Sequence, residues 1–149
     1  MRLAQLLPVV AVVLWPSAAF AQGFGFQQVI TTGADGATSV YATDLDGDGD
    51  LDLLGTGRKS NEVTWFENRP PAKGAGPDAG PVAWTKHLID ATSKCPAHGN
   101  PVDMDGDGDL DAFVANWEAN KVWVNDGSGN FTDSGLILGD SSSRHVALG

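Results

Sequence analysis

The sequence predicts an all-β fold built from repeated units of about four short antiparallel strands. Three observations predict it. The segment DLDGDGDLD, Asp44–Asp52, recurs as DMDGDGDLD, Asp103–Asp111, with a carboxylate at every second position and glycines at the same places. Each copy runs into an apolar stretch, LDLLGTG or LDAFVAN. A segment alternating β-branched and aromatic residues then follows, EVTWFEN (Glu62–Asn68) or NKVWVND (Asn120–Asp126). Finally, no part of residues 22–149 sustains a helical period.

The first 21 residues stand apart from this pattern. MRLAQLLPVVAVVLWPSAAFA has an early Arg2, an apolar run and the small-residue ending Ala19-Phe20-Ala21, which predicts a secretory signal cleaved before Gln22. Pro8 and Pro16 break the run, and it is short for a membrane span. The expected location is secreted, cell-surface or periplasmic, with no stable membrane span after cleavage.

Residues 22–149 then read as about two repeat units and the start of a third. SVYAT, before Asp44, is the first strand of a unit. The aspartate loop, two further strands, a turn and an outer strand follow. WTKHLI, from Trp84, and NFTDSGLIL, from Phe131, share an aromatic-to-aliphatic pattern with FQQVI, from Phe26. NDGSGN, Asn125–Asn130, is turn chemistry, because Asp-Gly and Ser-Gly supply positive φ cheaply. SRHVALG, at the end, resembles the run before Asp44, so the chain stops where a third loop is due. The expectation is a truncated product or a gene fragment. The spacing from Asp44 to Asp103 exceeds the ~40–50 residues of common blade repeats. The excess is assigned to an exposed insertion at residues 68–83, NRPPAKGAGPDAGPVA, too rich in Pro, Gly and Ala for a ladder. Pro101, in CPAHGNPVD, falls where a first strand belongs and predicts a shortened or irregular one.

The aspartates demand a cation. Nineteen acidic residues against nine basic ones give a formal net charge of −10, which excludes a phosphate-binding surface for nucleic acid. Cys95 is the only cysteine, so no intrachain disulfide can staple a small exported fold, and metal ions are the obvious substitute. Counted from Asp44, positions 1, 3, 5, 7 and 9 are Asp44, Asp46, Asp48, Asp50 and Asp52. The second loop places Asp103, Asp105, Asp107, Asp109 and Asp111 identically. Alternating hard oxygens in a tight loop suit calcium, which takes six to eight oxygen ligands, rather than zinc, which wants His or Cys. Magnesium resists full dehydration and is the poorer fit. An EF-hand needs a bidentate Glu at position 12, where this chain has Gly55 and Val114, and it needs helical flanks.

On these residues the chain resembles the FG-GAP/VCBS-type repeat, which builds β-propeller blades, as in the integrin α-subunit head. The resemblance implies an incomplete propeller with two calcium sites. It places side-chain ligands at Asp44, Asp46, Asp48 and Asp52 and at Asp103, Asp105, Asp107 and Asp111, with carbonyl ligands from Asp50 and Asp109. It also implies a non-catalytic surface for an extracellular protein or glycan. Propellers usually close with four to eight blades, so further blades are expected from a longer chain or from other subunits. The rival expectation is the amino-terminal part of a longer exported enzyme, such as one acting on polysaccharide. No nucleophile elbow, H-E-x-x-H motif or phosphate loop is present to support it.

The remaining notable residues have plainer readings. Cys95 and His98 form a lone C-x-x-H pair, half a zinc site at most, so Cys95 is read as a loop thiol. His87 and His145 fall in strands and are read as structural. Trp65, Trp84 and Trp123 are expected in the core. Trp117, in the polar turn NWEAN, is the exception that fits a sugar-binding face. Asn130, in NFT, fits a glycosylation acceptor.

Overall fold

Alternating apolar residues with glycine-rich breaks give eight strands and, among the described residues, no helix. The computed structural model describes residues 28–70, 82–139 and 142–143. Residues 1–27, which include the expected signal, and the end of the chain with His145 lie outside them.

Strands β1 (Ala37–Thr43), β2 (Asp52–Gly57), β3 (Glu62–Arg69) and β4 (Ala83–Asp90) form one antiparallel meander in sequence order. Strands β5 (His98–Val102), β6 (Asp111–Ala115), β7 (Asn120–Asn125) and β8 (Phe131–Leu138) form a second. Each is a four-stranded, propeller-type blade. The aspartate loops join β1 to β2 and β5 to β6. Because consecutive strands alternate direction, the β3–β4 connection shares the end of the aspartate loops. The β2–β3 and β6–β7 turns and the β4–β5 connection lie at the opposite end.

One expectation needs correction. Asn68 and Arg69 belong to β3 and pair with Trp84 and Ala83, so the ladder reaches into both ends of the expected insertion. The unpaired part begins at Pro70, and residues 71–81 lie outside the described residues. The pattern beginning at Phe26 is not a strand where it is described, over Gln28–Ile30, whereas its counterparts from Trp84 and Phe131 are β4 and β8. β5 is indeed short, but its register is unbroken, with Pro101 opposite Ala112. β5 hydrogen-bonds only to β6 in its sheet, and an edge strand tolerates a residue without an N–H.

Period-two alternation decides which residues meet between the blades. Leu54 of β2 and Val63 and Trp65 of β3 face Ala112 and Val114 of β6, and Leu45 from the first loop closes this core. Trp123 packs against its edge. Trp84 is half-buried outside it, and Trp117 is 51% exposed, as its polar turn suggested. The blades approach closely at β5, where a Cβ on Gly99 would stand 3.0 Å from the Thr56 methyl. Polar bonds pin the same seam. Gly99 N donates to Ser39 Oγ (3.0 Å), Thr38 Oγ1 to Pro96 O (2.9 Å), and Tyr41 Oη pairs with His98 Nε2 (3.1 Å). Farther out, Lys121 Nζ of β7 reaches Asp90 Oδ2 at the end of β4 (3.3 Å).

Leu54 is fully buried at the centre of this seam. Leu54→Ala should lower unfolding stability by about 2–5 kcal/mol, read as a lower urea midpoint at unchanged slope. An unchanged midpoint would show that the two blades do not share a core.

Candidate metal centre

The two loops are alike bond for bond. In the first, Asp44 accepts from Gly47 N (2.8 Å) and Gly49 N (3.0 Å). In the second, Asp103 accepts from Gly106 N (2.7 Å) and Gly108 N (3.2 Å). Asp46 and Asp105 each accept from the amide two residues on (both 3.3 Å), and so do Asp48 (2.8 Å) and Asp107 (2.9 Å). These bonds curl the backbone around its own carboxylates. The curl requires positive φ at Gly47, Gly49, Gly106 and Gly108 (75°, 90°, 83° and 99°), a region that side chains with a Cβ disfavour.

Position 9 has a distinct role. Asp52 is 1% exposed, and its two oxygens accept from Leu45 N (3.0 Å) and Asn68 N (2.8 Å). Asp111 is fully buried, and its oxygens accept from Met104 N (2.8 Å) and Asn125 N (2.9 Å). Each therefore ties the start of its loop to the end of the third strand of its blade. An ionised carboxylate held by amides is a strong acceptor that retains lone pairs for a cation.

The carboxylates also converge. Oxygens of Asp44, Asp46 and Asp48 lie within 4.8 Å of one another, as do those of Asp103, Asp105 and Asp111. Asp50 and Asp109 lie outside both groups, Asp52 outside the first and Asp107 outside the second. The Asp109 side chain lies against Gly127 in the β7–β8 turn, where a Cβ would collide with it. Burial is the leading cause that pushes the Asp46, Asp52 and Asp105 carboxyls above their ordinary value, and neighbouring aspartates add to it. Backbone amides oppose the shift without cancelling it. Three hard oxygens at this separation, with no nitrogen or sulfur among them, fit a calcium ion completed by carbonyls and water.

Two residues essential to the loops escaped sequence reasoning. Asn68 Nδ2 donates to Leu51 O (3.0 Å), and Asn125 Nδ2 to Leu110 O (3.1 Å), so each secures the residue before the position-9 aspartate. Asn125 also reaches the first blade, donating to Leu45 O (2.7 Å). The signal was visible, since both asparagines follow the alternating apolar run of their unit, but there they read only as strand boundaries. A third arrangement stands beside the first loop. Glu67 accepts from Arg69 Nε (2.5 Å) and pairs with His87 Nε2 (2.8 Å), and the His87 ring stacks on Trp65 with centroids 4.3 Å apart. The Arg69 hydrogen bond is the chief reason the Glu67 carboxyl is held below its usual value. Cys95 is a half-buried thiol in the β4–β5 connection, whereas His98 is on β5 against Tyr41. Asn130 Nδ2 donates to Asp126 Oδ2 (2.9 Å), which occupies the expected acceptor amide inside its turn.

Residues 103–149 match the FG-GAP-like repeat family model, the part that begins with the second aspartate loop. No curated protein and no solved structure matches the chain.

Because both oxygens of Asp111 hold backbone amides, Asp111→Asn should destabilise the chain by about 1–3 kcal/mol even in excess EDTA. Equal stability of wild type and variant under EDTA would confine Asp111 to metal binding. A pH series gives a separate check. Asp46, Asp52 and Asp105 have raised folded values, so their contribution to stability is present at low pH and is lost as pH rises through those values. A calcium ion held by the same groups would take the place of those protons. The gap in Tm between calcium-loaded and EDTA-treated protein should therefore widen from about pH 4 to about pH 7, and a pH-independent gap would contradict this linkage.

Proposed function

We propose that this FG-GAP-like repeat chain is an exported calcium-binding module that presents a rigid β surface to an extracellular protein or glycan and performs no catalysis itself. One observation carries the reading: the two loops repeat the same carboxylate-to-amide bonds, and each gathers three carboxylates within 4.8 Å. Such a cluster of like charges is costly unless a cation joins it. Calcium would be held by Asp44, Asp46, Asp48 and Asp52 in the first blade and by Asp103, Asp105, Asp107 and Asp111 in the second, with carbonyls of Asp50 and Asp109. The ion supplies charge neutralisation at the end of the sheets. The protein's own contribution is the fixed backbone around it.

Export is supported by the signal-like residues 1–21. Extracellular calcium modules bind at about 10⁻⁴–10⁻³ M, so ambient calcium would load them partly or fully. At tenfold its Kd the ion adds about 1.4 kcal/mol per site. Further blades, from a longer chain or from other subunits, would complete the ring.

Calorimetric titration of the chelator-treated, folded chain should show two calcium ions bound, and EDTA should lower the Tm reversibly. The Asp46→Ala, Asp105→Ala double variant should melt alike with and without calcium. Absence of calcium uptake by the folded wild type would sink the proposal.

A further inference from the structure

We infer that the cleft at the end opposite the aspartate loops binds a uronic-acid glycan, with the Trp117 indole stacking on a sugar ring and the Arg58 guanidinium taking its carboxylate. This rests on the reading of the chain as a presenting module and specifies both the site and the ligand class.

The cleft, about 370 Å³, lies where the two blades meet and is lined by Thr38, Arg58, Cys95, Ala97, Trp117 and Ser143. Arg58 comes from the β2–β3 turn and Trp117 from the β6–β7 turn. The Arg58 Cζ lies 5.7 Å from the Trp117 ring centroid. Each turn is anchored through its backbone. Arg58 N donates to Gly36 O (2.9 Å) and Trp117 N to Lys94 O (3.0 Å). Thr38 Oγ1 is committed to Thr56 and Pro96 and forms part of the wall. The two ligand-facing side chains are thus long and exposed but stand on fixed backbone.

Charge pairing singles out this end. Among the described residues, Lys59 pairs with Asp35, Arg69 with Glu67, Lys86 with Glu62 and Lys121 with Asp90. Among the described residues, Arg58 and Lys94 have no carboxylate within ion-pair distance, although acidic residues outnumber basic ones in the chain. Both flank the cleft, joined through the Trp117–Lys94 backbone bond. The crowded aspartates lie a strand length away, about 20 Å at ~3.3 Å per residue, beyond the screening length of about 8 Å in physiological salt. An anionic ligand at Arg58 is therefore shielded from them. The acidic residues adjoining this end are Glu118, next to Trp117, and Asp35, which is paired with Lys59 beside the Gly36 that holds Arg58 N.

The indole decides between classes of anion. An acidic peptide needs only the cations. The Arg58 guanidinium stands over one side of a half-exposed indole, so the pair offers the uncovered apolar surface of the ring next to a bidentate carboxylate donor, and a uronate presents those two features together, a C–H face and a carboxylate.

The test uses the full chain with calcium present. Its probes are a tetrasaccharide alternating glucuronate and N-acetylglucosamine, the carboxyl methyl ester of that tetrasaccharide, and tetraglutamate. Heat and tryptophan fluorescence should report binding of the acid form. Esterification, Arg58→Gln and Trp117→Ala should each weaken it by about tenfold or more, the scale of one charged hydrogen bond. Glu118→Gln should tighten it. Melting curves show that each variant folds. No binding of the acid form, or binding unaffected by Arg58→Gln and Trp117→Ala, overturns the inference. Tetraglutamate binding as tightly, with no dependence on Trp117, overturns it in favour of an acidic peptide. If the glycan fails while calcium still raises the Tm, only this inference falls. If calcium has no effect while the glycan binds, only the preceding proposal falls.

Discussion

Both blades depend on a buried carboxylate shared between two backbone amides. Asp52 and Asp111 each accept from the second residue of their own loop and from the last part of the third strand. A buried amide without an acceptor is costly, and so is a buried carboxylate without donors. Each satisfies the other here, at the point where the chain must leave one strand and enter the next. The other loop aspartates are exposed or half-buried, and their hydrogen bonds are to amides of their own loop. Position 9 is thus first a structural joint, and its value to a cation follows from the rigidity it confers on the rest.

That arrangement explains how a short chain without a disulfide keeps two sheets in register. The core between the blades is small, with Leu45, Leu54, Val63, Trp65, Ala112 and Val114 at its centre. Polar bonds extend it in both directions. Toward the loops, Asn125 joins the carbonyls of Leu45 and Leu110, one from each blade. Toward the opposite end, Ser39 and Thr38 receive β5 and the turn before it. Leu45 and Met104 occupy the same place in the two loops. Leu45 is 1% exposed because the second blade covers it, whereas Met104 is 38% exposed.

Much of this was legible in the sequence, for identifiable reasons. Period-two runs such as EVTWFEN and NKVWVND became β3 and β7, and the fixed spacing of aspartates and glycines became two equivalent loops. Strand ends were less legible. Asn68 and Arg69 looked like the start of a proline-rich insertion, yet they find partners in Trp84 and Ala83, a fact that only pairing reveals. The asparagines behind each loop were invisible as functional residues because their side-chain bonds reach 15 and 17 residues back along the chain, and in one case 80. Arg58 gave no signal either. Its partner Trp117 is distant in sequence and meets it only because the two blades abut.

The connection from Arg69 to Ala83 leaves and re-enters its sheet beside the acidic loops, while Arg58 and Trp117 project from the other end. Chain added between β3 and β4 interrupts no ladder and cannot reach the far rim without crossing the length of the strands. Length added at the β3–β4 connection therefore leaves the turns that carry Arg58 and Trp117 in place.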